Sequence, residues 1–536
     1  MIRLIFLDLL TSLLDIGFLV GLIYVVHFYT TGNYSVPFSF FPFTLFAKYP
    51  LSLIIIFFLL FALKNWACYL VFRKQYKFVY GVASRLSENN LYQFLQGTYD
   101  AHVQTNSSVP ISKISRHPIE FGQHVLASVQ QITGQCILII ITIVAILIFN
   151  PVLFLLLFVI LTPPILFIGS FIKRKLNAVR KTAKPLHEKA LQYLQEALAG
   201  YIECNVYDRK DFFVHRYSTY QTKFNTFLSR QLVIQNLPYR FMEVFALFGL
   251  LLLIVLNFYG NNSGSIGIVT IGTFMAAAYK IIPGIVKILN SLGQIKTFSY
   301  TVTSLLNNQA QSNPKKEGVS TEISVVAMKN IHFSYKGKAV LNGFSMKMEK
   351  GDFIGLTGMS GKGKTTIINL ILGFLDPQAG VIEFNNSDTT TVDRQRYRTR
   401  ISYVKQDVFL IHDTILTNIT LHEKEADEYR LENAVKATGL DNFTSSYPER
   451  LLKIITEHGR NISGGQKQRI VISRALYKEA DLIILDEPFN ELDRQSEDNL
   501  LEHCRSLAAA GKIIILVTHN KESLSYCSKI VSLDEN

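Results

Sequence analysis

The stretch "LTGMSGKGKTTIINL" (356–370) sets Gly358, Gly361 and Gly363 ahead of Lys364 and Thr365 and then runs into apolar residues at helical spacing. Gly358, Gly363, Lys364 and Thr365 fit the pattern G-x-x-x-x-G-K-[ST]. "DFIGLT" before it reads as a strand and "TTIINLILGF" after it as a helix, the context this pattern requires. Glycines let backbone N–H groups approach phosphates, and the helix N-terminus adds a favourable dipole. Ser360, Gly361 and Thr366 share that cradle, Lys364 is expected to reach the β and γ phosphates, and Thr365 to ligate Mg²⁺.

Upstream the texture is different. The 536 residues are 49% hydrophobic and 18% charged, too apolar and too long for one ordinary soluble domain. A bilayer core of about 30 Å takes roughly 20 apolar residues in a helix, and six stretches qualify, near 4–30, 51–72, 125–149, 152–172, 241–259 and 266–290. Asn150 and Pro151 supply a tight turn between the third and fourth. The first is read as a retained helix, since no small-residue cleavage site follows it.

Charge placement orients these spans. The connection 73–122 carries Arg73, Lys74, Lys77, Arg85, Lys113 and Arg116, and 173–240 opens with "KRKLNAVRKTAK", whereas 31–50 has only Lys48 and "YGNNSGS" (259–265) has no basic residue. The long connections are therefore expected in the cytoplasm, as helices extended from the membrane, with both termini inside. Much of the formal net charge of +13 is then topological, and a nucleic-acid partner is not indicated. Five scattered cysteines without C-x-x-C spacing indicate neither a disulfide framework nor a zinc site. The Phe-rich loop 35–50 reads equally as an interfacial segment or as a loop packed on helix ends.

Downstream of the phosphate loop, "ADLIILDEP" (480–488) reads as a buried strand that delivers Asp486 toward Mg²⁺ and Glu487 toward an attacking water. "NISGGQKQR" (461–469) carries the S-G-G-Q signature, and with it residues 323–532 resemble the nucleotide-binding domain of an ATP-binding cassette transporter. The resemblance implies that Ser463, Gly464, Gly465 and Gln466, at a helix start, meet the γ-phosphate held by a second subunit. It also implies adenine stacking by Tyr335, Mg²⁺ sensing by Gln406, γ-phosphate contact by His519 and an inter-domain role for Asp493. Ile462 stands where the family usually has Leu, and "DEPFNELD" replaces the commoner D-E-A-T-S-A-L-D.

The whole chain thus reads as an α-helical six-span membrane domain (1–304), a polar linker (305–322) and an α/β P-loop nucleotide-binding domain (323–536). This order resembles an exporter-type half-transporter working as a homodimer with ATP and Mg²⁺, with segments near 107–121 and 205–220 positioned like coupling helices. "NLPYRFMEVF", "AYKIIPGIVKILNSL" and "DVFLIHDTILTNIT" are similar to segments of flippases for polyprenyl-diphosphate oligosaccharides, which implies an integral protein of an inner bacterial membrane. A cation at the centre of a span costs about 2.5–3.5 kcal/mol, so Lys280, with Lys287 seven residues on and Arg240 at the preceding span, is expected to hold an anionic lipid-linked or amphipathic substrate. For Arg240 and Lys287 a role as positive-inside anchors, with Arg240 paired to Glu243, is at least as consistent with the sequence. A hydrophobic peptide or multidrug exporter is the alternative cargo reading, and an ATP-gated channel or regulator the alternative class.

Overall fold

The computed structural model describes residues 2–31, 50–97, 99–149, 151–259, 268–309, 321–335, 337–421 and 425–534. The chain divides into two compact units, residues 1–97 with 103–312, and residues 98–102 with 313–536.

The described part of the first unit is helical. Helices α1 (Ile2–Thr31), α2 (Pro50–Gln96), α3 (Ala127–Phe149), α4 (Pro151–Ala199), α5 (Lys210–Tyr259) and α6 (Ile268–Thr297) follow the six expected spans, the third beginning two residues late, at 127, and the last at 268. At about 1.5 Å per residue, a helix of 47, 49 or 50 residues (α2, α4 and α5) is more than twice the length a bilayer core requires. Leu51, Ile55, Phe58, Leu59 and Leu63 of α2 are all exposed, which a helix in water would not sustain on successive turns. By length and composition the stretches Leu51–Gln96 and Ser108–Ile148 are apolar enough to cross a membrane. α5 packs along α4 and α6 along α3. At Gly284 of α6 a Cβ would come within 3.1 Å of Ile139, so glycine permits the close approach of those two helices.

Between α2 and α3 the chain includes two π-helical segments, Ser112–Arg116 and Phe121–Leu126. Residues 107–121, expected to behave as a coupling segment, belong to the helical unit. Residues 99–102 group instead with the second unit, where Tyr99 lies with its ring 5.0 Å from Phe374. Across the long connection 173–240, expected as extended helix, the chain is broken at Gly200 and again at 207–209, leaving the short helix Tyr201–Val206 between α4 and α5. The linker expected from residue 305 begins inside helix α7 (Ser299–Gln309). The Phe-rich loop up to residue 49, the turn at Asn150 and residues 260–265 lie outside the described residues.

The second unit has two sheets. Strands β1 (Val325–Tyr335), β2 (Lys338–Glu349) and β4 (Ala379–Phe384) are antiparallel in the order β2-β1-β4, edged by Ser387–Asp388. The other sheet, β8-β3-β7-β6-β5, is parallel, built from Phe353–Thr357 (β3), Ile401–Val404 (β5), Leu482–Asp486 (β6), Ile513–Val517 (β7) and Lys529–Ser532 (β8). Its central strands are apolar end to end because both faces are covered. Ile513, Ile515 and Val517 join Ile367, Ile368 and Ile371 of helix α8 (Lys364–Ile371) in one core. Ile514 and Leu516 join Ile470 and Leu500, from helices α9 (Gly464–Tyr477) and α10 (Arg494–Ala509), in the other.

Candidate functional site

Parallel register brings the site together. Leu356 of β3 pairs with Val517 of β7, Val517 with Asp486 of β6, and Leu485 with Val404 of β5. The carboxyl ends of four strands therefore form one row, and the phosphate loop, His519, Glu487 and Gln406 stand directly beyond those ends. Ligands of open parallel sheets bind at such a row.

The loop at 358–363 needs its glycines. Gly358, Gly361 and Gly363 have φ of +151°, +82° and +101°, and a Cβ on Gly363 would lie 2.9 Å from Val340. The turn ends in α8, where Lys364 is buried and Thr365 exposed in the first turn. Lys364 Nζ donates to the carbonyls of Gly358 and Met359 and lies 3.0 Å from His519 Nε2. The lysine is thus folded along the inner side of the loop, and the cradle fits phosphate oxygens.

Asp486 ends β6, 6% exposed, and accepts a hydrogen bond of 3.2 Å from the Tyr403 hydroxyl. Burial raises its pKa above the usual carboxylate range, against the lowering effect of that bond. A buried carboxylate supported by one neutral donor fits a divalent cation. No cluster of three or more His, Cys, Asp or Glu side chains suited to a metal occurs among the described residues. Mg²⁺ here would complete its shell from Thr365, Gln406, phosphate and water.

Glu487 sits at φ +49°, a left-handed conformation unusual for a side chain of this kind. Its N–H donates to the Val517 carbonyl at 3.0 Å. Its carboxylate accepts from the Gln406 amide at 2.8 Å and the Asn490 amide at 3.1 Å, and lies 3.2 Å from His519 Nε2. That nitrogen accepts from Lys364 or donates to Glu487 according to its tautomer. Gln406, Glu487 and His519 are therefore in one network. Asn490, exposed beside Glu487, and Tyr403, half-buried against Asp486, were given no role by the sequence motifs, and only the fold brings them to these carboxylates.

The signature forms the N-terminus of α9. Ser463 caps it, accepting from the Gln466 N–H at 3.3 Å, while the Gln466 side chain accepts from the Ser463 N–H at 3.0 Å. A Cβ on Gly465 would lie 2.7 Å from the Glu491 carbonyl oxygen, and one on Gly464 2.6 Å from the Glu491 carboxylate. Asp493 caps α10 through the Ser496 N–H and pairs with Arg469 at 3.3 Å. Tyr335, at the end of β1, is 46% exposed and packs edge-on against Phe333, presenting a free face.

Of the three cations expected to form one anion site, Arg240 and Lys287 do not converge. Arg240 is largely exposed, pairs with Glu243 at 3.4 Å and lines an open groove with Asn225, Leu232 and Asn236. Lys287 lines a different cavity, with Asp15 and Lys64. Seven residues along a helix return to one face, but neighbouring helices decide which cavity that face meets. Of Lys280 only its place on α6 is described.

A P-loop α/β unit following a long-helix unit with lipid-like exposure defines a class of nucleotide-driven membrane proteins. Residues 1–279 match the ABC transporter transmembrane region and residues 341–490 the ABC transporter domain; the chain belongs to the ABC transporter family. It is 29% identical over 387 residues to an ATP-dependent lipid A-core flippase of Cupriavidus pinatubonensis, covering 70% of this chain and 65% of the relative. A second protein of that name, from Saccharophagus degradans, is 31% identical over 51% of this chain and 47% of its own. A probable ABC transporter ATP-binding/permease protein of Haemophilus influenzae is 29% identical over 47% and 48% respectively. The matched stretch spans less than two thirds of each of these relatives. In fold, the chain is similar to the structure of a bacterial Atm1-family ABC exporter with ATP bound, with a TM-score of 0.79 and 19% identity, over 99% of this chain and 93% of that one.

Proposed function

We propose that the protein is an ATP-driven exporter or flippase, two copies of which move an amphipathic or lipid-linked substrate out of the cytoplasmic leaflet. The observation that carries this reading is the complete hydrolytic set on one strand-end row, in a chain whose other half matches the transporter transmembrane region. ATP with Mg²⁺ supplies the phosphoanhydride and the cation that neutralises its charge. The loop glycines and Lys364 hold the phosphates, Thr365, Gln406 and Asp486 hold the metal, and Tyr335 stacks on adenine. Glu487, positioned by Gln406 and Asn490, orients water and takes its proton, and His519 contacts the γ-phosphate. Ser463 to Gln466 and Asp493 act across a homodimer. The remaining assignments of this reading are six spans over α1–α6, residues 1–304 as membrane domain, 305–322 as linker and 323–536 as nucleotide-binding domain, both termini in the cytoplasm, and an inner bacterial membrane.

ATPase activity and vectorial lipid movement of the full chain in proteoliposomes test this together. Glu487→Gln is expected to lower hydrolysis at least about 100-fold, in the range of losing a general base, and to stop transport. Hydrolysis without transport of lipid-linked or amphipathic probes would move the reading to an ATP-gated regulator.

A further inference from the structure

The helical unit encloses a cavity of about 470 Å³ whose lining is unexpectedly polar for a membrane-type domain. Asp15 comes from α1, Lys64 and Gln75 from α2, Gln130 and Gln131 from α3, and Lys287 from α6. Polar side chains inside such a domain are costly unless partnered, so each needs a physical reason to be there.

Some are accounted for within the protein. Lys64 forms an ion pair with Asp15, and the Gln131 side chain accepts from Ser291 at 2.9 Å. Others are not. Gln130 is 8% exposed, yet its amide nitrogen has no hydrogen-bond partner, and the Gln75 amide nitrogen is likewise without one. Lys287 makes no ion pair among the described residues. Buried donors of this kind are normally satisfied by water or a ligand. In charge, Lys64 and Asp15 cancel, which leaves the single positive charge of Lys287.

We propose that this cavity binds an oxygen-rich head group carrying one net negative charge, such as a phosphodiester or carboxylate bearing hydroxyl or amide groups, and that it selects against a diphosphate. The proposal rests on the transport reading and names the substrate class for it. The amide nitrogens of Gln75 and Gln130 supply neutral donors to acceptor oxygens, and Lys287 balances one charge. A second or third negative charge would meet Asp15 with no further cation among these residues to offset it.

The test is equilibrium binding to the full-length protein in neutral detergent, with ATP hydrolysis measured in parallel. The probes are phosphatidylglycerol, phosphatidic acid, diacylglycerol and soluble glycerophosphoglycerol. Phosphatidylglycerol should bind more tightly than phosphatidic acid or diacylglycerol. Lys287→Gln and Gln130→Leu should each weaken it about tenfold, while Lys287→Arg, which keeps the charge, retains binding. Asp15→Asn adds one net positive charge and should reverse the order of the two anionic lipids, an outcome a merely structural role would not produce. Equal binding of glycerophosphoglycerol would identify a soluble phosphorylated source, and binding of the lipid alone a lipid head group; both support the site. Tighter binding of the dianion by the unaltered protein, equal binding of diacylglycerol, or no effect of Lys287→Gln overturns it. ATP hydrolysis that persists when binding fails leaves the transport reading standing, and binding without hydrolysis removes that reading instead.

Discussion

Glu491 and Tyr335 carry consequences that their motifs do not. Glu491 stands where the commoner D-E-A-T-S-A-L-D pattern has alanine, and its carboxylate abuts Gly464 at the N-terminus of α9. On the proposed reading, in which this helix end meets phosphate, a negative charge there would compete with it. Glu491→Ala is expected to lower the KM for ATP about two- to fivefold, measured in steady-state hydrolysis. Tyr335, 46% exposed and edge-on to Phe333, predicts the opposite sign if it stacks on adenine as proposed. Tyr335→Ala should raise the KM about tenfold through lost stacking, with kcat little changed, and Tyr335→Trp should restore it.

Among the elements, α9 has a start that tolerates little change. The Gly465 position faces a backbone carbonyl at 2.7 Å, which cannot rotate away as a side chain can. Gly465→Ala should therefore displace the helix start, cost about 1–3 kcal/mol of stability, and reduce hydrolysis without altering nucleotide binding at the phosphate loop. Denaturant unfolding together with fluorescent-nucleotide binding separates the two effects. Gly464→Ala meets only the flexible Glu491 side chain and should be milder.

A second element-level consequence lies where the π-helical segments meet α4, α5 and α7. Glu120 accepts from Arg116 and from the Tyr300 hydroxyl, both at 2.5 Å, with His117, His124, His187 and Phe224 around them. His124 stacks on Phe298 with ring centres 4.0 Å apart, and the Nδ1 atoms of His124 and His187 are buried without a hydrogen bond. Burial is the main cause that lowers both pKa values below 6.5; Arg116 adds to this, while Glu120 opposes it. The unfolded chain then takes up protons near pH 6.5 that the native cluster refuses, so stability falls as pH drops through and below that value. Thermal unfolding between pH 7.5 and 5.5 should show this loss, and the double substitution His124→Phe and His187→Phe should flatten it.

Over the whole molecule, the nucleotide site was legible from sequence because its chemistry is local. The loop Gly358–Thr365, the strand ending in Asp486–Glu487 and the cap Ser463 each combine a residue type with a backbone context set by a few neighbours. The six apolar stretches were legible for the same reason, since length and hydropathy need no partner. The helix ends were less so: α2, α4 and α5 continue far beyond their apolar parts, and α7 runs into a segment whose polarity reads as linker.

What the sequence by itself determined is therefore the succession of elements, including the glycine loop, the strand ending in Asp486 and the Ser463 cap, each written within a short window. Only the tertiary structure decided which distant residues meet. Parallel register aligned four strand ends and added Asn490 and Tyr403 to the site. Helix packing sent Arg240 and Lys287 to different cavities and joined Lys287 to Asp15, Lys64 and two unsatisfied glutamines. Periodicity specifies one face of one helix, whereas a cavity is made by the faces of several, and their mutual rotation is fixed by packing across the whole unit.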